Sequence, residues 1–165
     1  MQTALTEELL ANLGRAVVAA ANLEGALSMV AGVCLDRNGL EVLGKPGEPL
    51  RAARASLAVM TDDQRKLFTS AIDAAETALR ERHGLFHAMW MDQGETGPLP
   101  QVLRLRMRDF ATMPTDATDI LAVVDHLNEA TRTLASLLTD IINGRLGPKL
   151  YLQRPSAQTA TLVDS

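Results

Sequence analysis

Rings and disulfides are what this chain largely does without. Aromatic residues make up 3% of its 165 positions, and there is one cysteine, Cys34. A single cysteine has no partner for an internal disulfide, so nothing here calls for an oxidising compartment. The shortage of rings, set against plentiful alanine and leucine, disfavours a β-sandwich and favours closely packed helices. Basic charge is also in short supply: 16 Lys and Arg face 20 Asp and Glu, a net charge of -4. That balance argues against broad, sequence-blind adhesion to nucleic acid, though it leaves room for a local basic pocket. Residues 1–10 have no basic residue ahead of their apolar part and carry Glu7 and Glu8, unlike a signal peptide. The chain is expected in the cytoplasm.

Hydrophobic residues are 47% of the total, and a chain of this size buries ~70% of its unfolded surface in a single core. Residues 16–35 are long and apolar enough to raise the question of a membrane. They include Asn22, Glu24 and Ser28 among alanines and glycines, so insertion is weakly driven and a buried helix with no membrane is expected.

Periodicity lays out an all-α bundle of three long helices and one short one. The first long helix is expected over about 6–35. One seam is Leu10, Leu13, Val17, Ala20, Glu24, Leu27, Ala31 and Cys34; a second register runs through Leu9, Leu13, Ala16, Ala20, Leu23, Leu27 and Val30. Residues 36–49, with Asn38-Gly39, Gly44, Pro46, Gly47 and Pro49, read as a loop. A short helix over 50–60 follows. Thr61-Asp62-Asp63-Gln64 is then a capping box that starts the next long helix, expected over 62–91 with Phe68, Ile72, Ala75, Leu79, Arg82 and Phe86 in its seam.

Glycines and prolines break the chain at 92–100. Residues 102–108 then alternate apolar and basic, as a strand does, and suit a small hairpin with the end of the preceding segment. The last long helix is expected over 116–143, where Ile120, Val124, Leu127, Thr131, Leu134, Leu138 and Ile141 repeat without a break and Gly144 supplies the stop. Residues 1–144 thus form one domain, and 145–165, polar with two prolines, a flexible tail.

Two seam positions break the apolar rule, Arg82 and Glu24. A buried charge must find a partner or lose several kcal/mol, roughly, to desolvation. In one account the two form a structural ion pair between helices, while the second register puts Glu24 at the border of the seam. In another, Glu24 holds Arg82 so that its guanidinium faces a phosphate. Arg82 also opens the string Arg82-His83-Gly84-Leu85-Phe86-His87. Little else in the chain carries chemistry.

That string, an arginine with a polar neighbour and a histidine near the end of a long helix in a small bundle, resembles the HEPN superfamily. Arg82 matches the family's arginine, His83 its polar position and His87 its histidine, and Trp90 close behind is similar to an aromatic found in members. The commonest second residue in the family is asparagine, so His83 departs from it. Elsewhere the likeness extends only to helix count and order. The resemblance implies a metal-independent endoribonuclease, often a toxin with a paired antitoxin protein or a phage-defence component, with its site formed across a homodimer.

The residue chemistry is consistent with that. His87 as neutral imidazole, with a reference pKa of ~6.5, accepts the proton of a ribose 2′-hydroxyl. Arg82 grips phosphate oxygens in its planar fork, and His83 protonates the departing oxygen or orients its neighbours. No metal or cofactor is required. Residues five apart on a straight helix point about 140° from each other, so Arg82 and His87 meet on one phosphate only if the helix distorts or a second subunit contributes.

Around the motif, Arg80, Arg104, Arg106 and Arg108 would build a basic rim for an RNA backbone if the strand folds back, and Phe86 or Trp90 would stack a base. Otherwise these are a solvated strand face and core rings. A zinc site at His83 and His87 is disfavoured, because no HExxH is present and the cysteine is remote. Gly39-Leu40-Glu41-Val42-Leu43-Gly44-Lys45 imitates a phosphate-binding loop, but Pro46 offers neither a hydroxyl nor an N–H in the eighth place. His126 beside Asp125 is read as incidental, since adjacent helix residues do not face each other. The competing reading is a non-catalytic helical dimerisation or adaptor module, or one whose Arg-His segment binds a nucleotide.

Overall fold

A computed structural model describes residues 6–92, 102–106 and 111–147. The chain is an all-α bundle. Its long helices are α1 (Glu7–Leu35), α4 (Asp62–Phe86) and α5 (Ala117–Ile142), with short α2 (Gly39–Leu43) and α3 (Glu48–Ser56) between the first two. Three short strands join α4 to α5: β1 (Ala88–Asp92), β2 (Val102–Arg106) and β3 (Ala111–Thr115).

Local chemistry sets the helix starts. The Thr6 side chain accepts the Leu9 N–H at 3.2 Å and opens α1. The capping box at Thr61 is present: Gln64 donates its N–H to the Thr61 hydroxyl and accepts the Thr61 N–H. Asp116 and Asp119 make a second one at α5. α1 ends on Asp36, which takes the left-handed conformation (φ 54°) that a short polar side chain tolerates.

Contacts at both ends orient the bundle. Leu9, Leu85 and Ile120 pack into one cluster, and the Asn12 side chain donates to the Ala117 carbonyl at 3.5 Å. At the opposite end Gln64 donates to the Leu146 carbonyl at 2.7 Å. The strands therefore cap the end where α1 and α5 begin and α4 stops, and α4 runs antiparallel to both. The core between them holds Leu23, Leu27, Phe68, Ile72, Leu127, Leu134 and Ile141, spaced by Ala16, Ala20, Ala53, Ala75 and Ala130. These alanines let the helix backbones approach, which is how a chain with so few rings fills its interior.

The second seam register is the one α1 uses. Leu9 is 3% exposed whereas Leu10 is 49% exposed, and Val17 faces out. Glu24 consequently lies at the border of the seam. Cys34 is partly covered, and burial pushes its thiol up to about 11, leaving it protonated at neutral pH.

Five features differ from expectation. The 36–49 segment contains α2, started by Asn38, whose side chain accepts the Leu40 N–H at 3.0 Å. The short helix begins two residues early, at Glu48, and finishes in a 3₁₀ turn. The helix expected to reach residue 91 stops at Phe86, and 88–92 pairs with 102–106 in an antiparallel ladder, Trp90 opposite Arg104. Ladder hydrogen bonds with an alternating strand outweigh the helical propensity of Ala88 and Met89. The hairpin also gains a third strand, β3, which pairs Met113 with Arg104 and places Pro114 on an edge strand, where proline is tolerated. Leu146, assigned from sequence to the tail, packs on the core. The tail beyond 147 lies outside the described residues.

Candidate functional site

The candidate site is the last two turns of α4. The helix stays regular through Phe86, and His87 closes it as its C-cap, donating its N–H to the His83 carbonyl at 3.0 Å. The helix does not distort between Arg82 and His87, so within one chain their side chains diverge by about 140°.

Two pairs, each four residues apart, occupy neighbouring faces of this helix end. Arg82 sets its guanidinium over the Phe86 ring, 5.2 Å from the centroid. Phe86 is 37% exposed, so the cation–π contact contributes about 0.5–1 kcal/mol. The Arg82 Nε is buried without a hydrogen-bond partner, the one such side-chain atom among the described residues. A buried donor left unmade costs about 1–3 kcal/mol, so this guanidinium is held in place against a penalty. The second pair is His83 and His87, both exposed, with ring centroids 3.9 Å apart and planes tilted by 33°.

Arg82 and Glu24 do not form an ion pair. Glu24 lies fifteen residues beyond Leu9, about 22 Å along α1, whereas Arg82 is one turn from the Leu85 that packs on Leu9. Trp90 packs partly buried against the Leu9, Leu85 and Ile120 cluster, so its ring wedges the sheet onto the bundle and is not an open stacking platform.

The fold-back of the basic strand occurs. Arg80 on α4 and Arg104 on β2 line one cavity of about 420 Å³, together with Gly84, Leu85, Pro114 and Val123. Arg104 also donates to the Met113 sulfur at 3.5 Å. The Arg106 backbone lies in β2 opposite Ala88 and Ala111. Arg108 lies outside the described residues. Arg80 and His87 are nearly two turns apart, within about 20° of the same face, so the arginine on the histidine side of α4 is Arg80.

Below the site, charge is arranged differently. Glu76 takes both Arg80 and Arg54, and Arg54 also reaches Asp73 at 2.8 Å. The Arg54 hydrogen bond, then that of Arg80, holds the Glu76 carboxyl below its ordinary range, while Glu76 and then Asp73 raise Arg54.

One contact escaped sequence reasoning. His126 Nδ1 meets Glu81 Oε2 at 2.8 Å, bridging α5 and α4 beside a groove floored by Ala74, Ala78 and Ala130. Both residues point away from their own seams, and only the antiparallel register of the two helices brings them together; no spacing within either helix signals it. Asp125 plays no part in this contact. Among the described residues no group of three or more His, Cys, Asp or Glu could hold a metal ion. The loop-like 39–45 string is mostly the helix α2, without phosphate-binding geometry.

The chain matches no protein-family model, no curated protein and no solved structure. The site is therefore read from its own residues.

Proposed function

We propose that the protein is a metal-independent endoribonuclease of the HEPN type, acting on single-stranded RNA as a cytoplasmic homodimer. The observation that carries the reading is the Arg82 side chain, kept in a helix seam with a buried, unpaired Nε on the face next to an exposed histidine pair. A structural arginine would be expected to have its donors satisfied. An arginine kept in the seam at that cost, its Nε shielded from solvent, suits a guanidinium retained for what its terminal nitrogens bind.

In the reaction, neutral His87 takes the 2′-hydroxyl proton as that oxygen attacks phosphorus. Arg82 stabilises the charge gathering on the phosphoryl oxygens. The bond to the 5′-oxygen breaks, and that oxygen receives a proton from the imidazolium or from His83, leaving a 2′,3′-cyclic phosphate and a 5′-hydroxyl. Because Arg82 and His87 diverge on one helix, the reading has the arginine of one subunit act with the histidine of the other. A toxin paired with an antitoxin protein, or a phage-defence component, is the setting such an activity fits.

The test is cleavage of a mixed RNA pool in EDTA by wild type and by His87→Ala. Activity that persists under chelation, ends in cyclic phosphate and disappears in the variant is the expected result.

A second reading, a non-catalytic dimerisation or adaptor module, draws on α1. This is the one helix among the described residues long and apolar enough to cross a membrane, yet its inner face forms the core of the bundle. Its outer face leaves Leu10, Val17, Val18 and Met29 exposed. An apolar stripe of that kind is a surface for partners. RNA left uncut by both proteins would favour this second reading.

A further inference from the structure

Where β2 and β3 fold over the end of α4 they leave the cleft of about 420 Å³, within the ~300–1,000 Å³ typical of small-ligand sites. Arginines from two different elements, Arg80 and Arg104, line it. Two acids share these walls and are held by their own partners, Glu81 by His126 at 2.8 Å and Asp119 by the Asp116 N–H at 3.0 Å, and Arg104 itself contacts the Met113 sulfur at 3.5 Å. Arg80 is 74% exposed and shares its carboxylate, Glu76, with Arg54, so its guanidinium is only partly committed. The remaining wall is apolar, formed by Leu85, Pro114 and Val123. Gly84 keeps the middle open, since a methyl group at that position meets nothing within 4 Å.

We propose that this cleft is a nucleotide subsite in which Arg80 and Arg104 flank a phosphate and the base lies on the apolar wall. Planar guanidinium forks match phosphate oxygens, and a base offers a flat face to an apolar surface. The ligand is one nucleotide of a single-stranded RNA, held beside the histidine face of α4 that Arg80 shares. Its identity as part of a strand rests on the ribonuclease reading; a free mononucleotide has the same recognition chemistry.

The test is binding of a fluorescent RNA oligonucleotide whose 2′-hydroxyls are methylated, so that it binds without being cut. Arg80→Gln and Arg104→Gln are each expected to weaken binding about tenfold and to lower the salt slope by about one. Gly84→Leu, which fills the cleft, should abolish binding while melting no lower than wild type. Displacement of the oligonucleotide by uridine or adenosine monophosphate would show that a free nucleotide suffices; failure to displace it would show that the strand is required. Both outcomes keep the subsite. It is overturned if wild type binds neither probe, or if these three variants bind like wild type. Arginine-dependent binding without cleavage would sink the ribonuclease reading alone, whereas cleavage indifferent to the three variants would sink the subsite alone.

Discussion

Between Phe68 and Ala78, α4 turns a floor of small and apolar residues inward and a pair of carboxylates, Asp73 and Glu76, toward Arg54 of α3. Between Arg80 and His87 the same helix has a guanidinium in its seam, a glycine, two facing imidazoles and a phenyl ring partly in solvent. In the first stretch every charge near the core has a partner on a neighbouring helix. In the second, Arg82 keeps a donor unmade and rests on its own helix. The body of α4 is arranged for stability and its end for exposure of chemistry. Departures from the packing rules gather where the strands take over from the end of α4.

The contrast breaks most sharply at the two phenylalanines. Phe68→Ala should lose about 3–5 kcal/mol in chemical unfolding, because the ring is fully buried, whereas Phe86→Ala should lose no more than about 1 kcal/mol. Comparable losses at both positions would remove the distinction between the two halves. Gly84→Ala comes next: the added methyl meets open space in a helix, so thermal melts should show about 1 kcal/mol of stabilisation.

The carboxylate network gives a pH signature. Arg54 and Arg80 hold the Glu76 pKa below its ordinary 4.5, so the stability this group adds is present above that pH and is lost as the pH falls below it. Wild type should therefore outlast Glu76→Gln in denaturant at pH 7, with the gap closing in acid. A gap that widens in acid would contradict the sign. The smallest effect concerns Cys34. With its thiol pushed up to about 11, it should stay unmodified by a thiol reagent at pH 7.5 in native protein and react once unfolded.

Sequence pattern carried the body of the bundle well and its end less well. The cap at Thr61 is local chemistry, legible from a few adjacent residues, and the α5 seam from Ile120 to Ile141 is as its spacing indicates. α1 offered two registers because alanine and glycine blur the apolar stripe, and only contact with α4 and α5 decides between them. The hairpin between 102–106 and the end of the preceding segment is anticipated by the alternating pattern, but the point where α4 stops is not, because residues 88–91 favour a helix until a partner strand is supplied. At the site, the proximity of Arg80 to Arg104 followed from the expected fold-back, but the separation of Glu24 from Arg82 and the Glu81–His126 contact depend on how far helices slide past one another, which no periodicity contains.

The most direct test of a site shared between subunits is complementation. Arg82→Ala and His87→Ala proteins, each assayed alone on RNA in EDTA, should be inactive. Unfolded and refolded together, they should form mixed dimers in which one of two sites has both native residues, recovering roughly a quarter of wild-type cleavage. Cleavage by either variant alone at the wild-type rate, or none in the mixture while wild type cuts, would contradict the account.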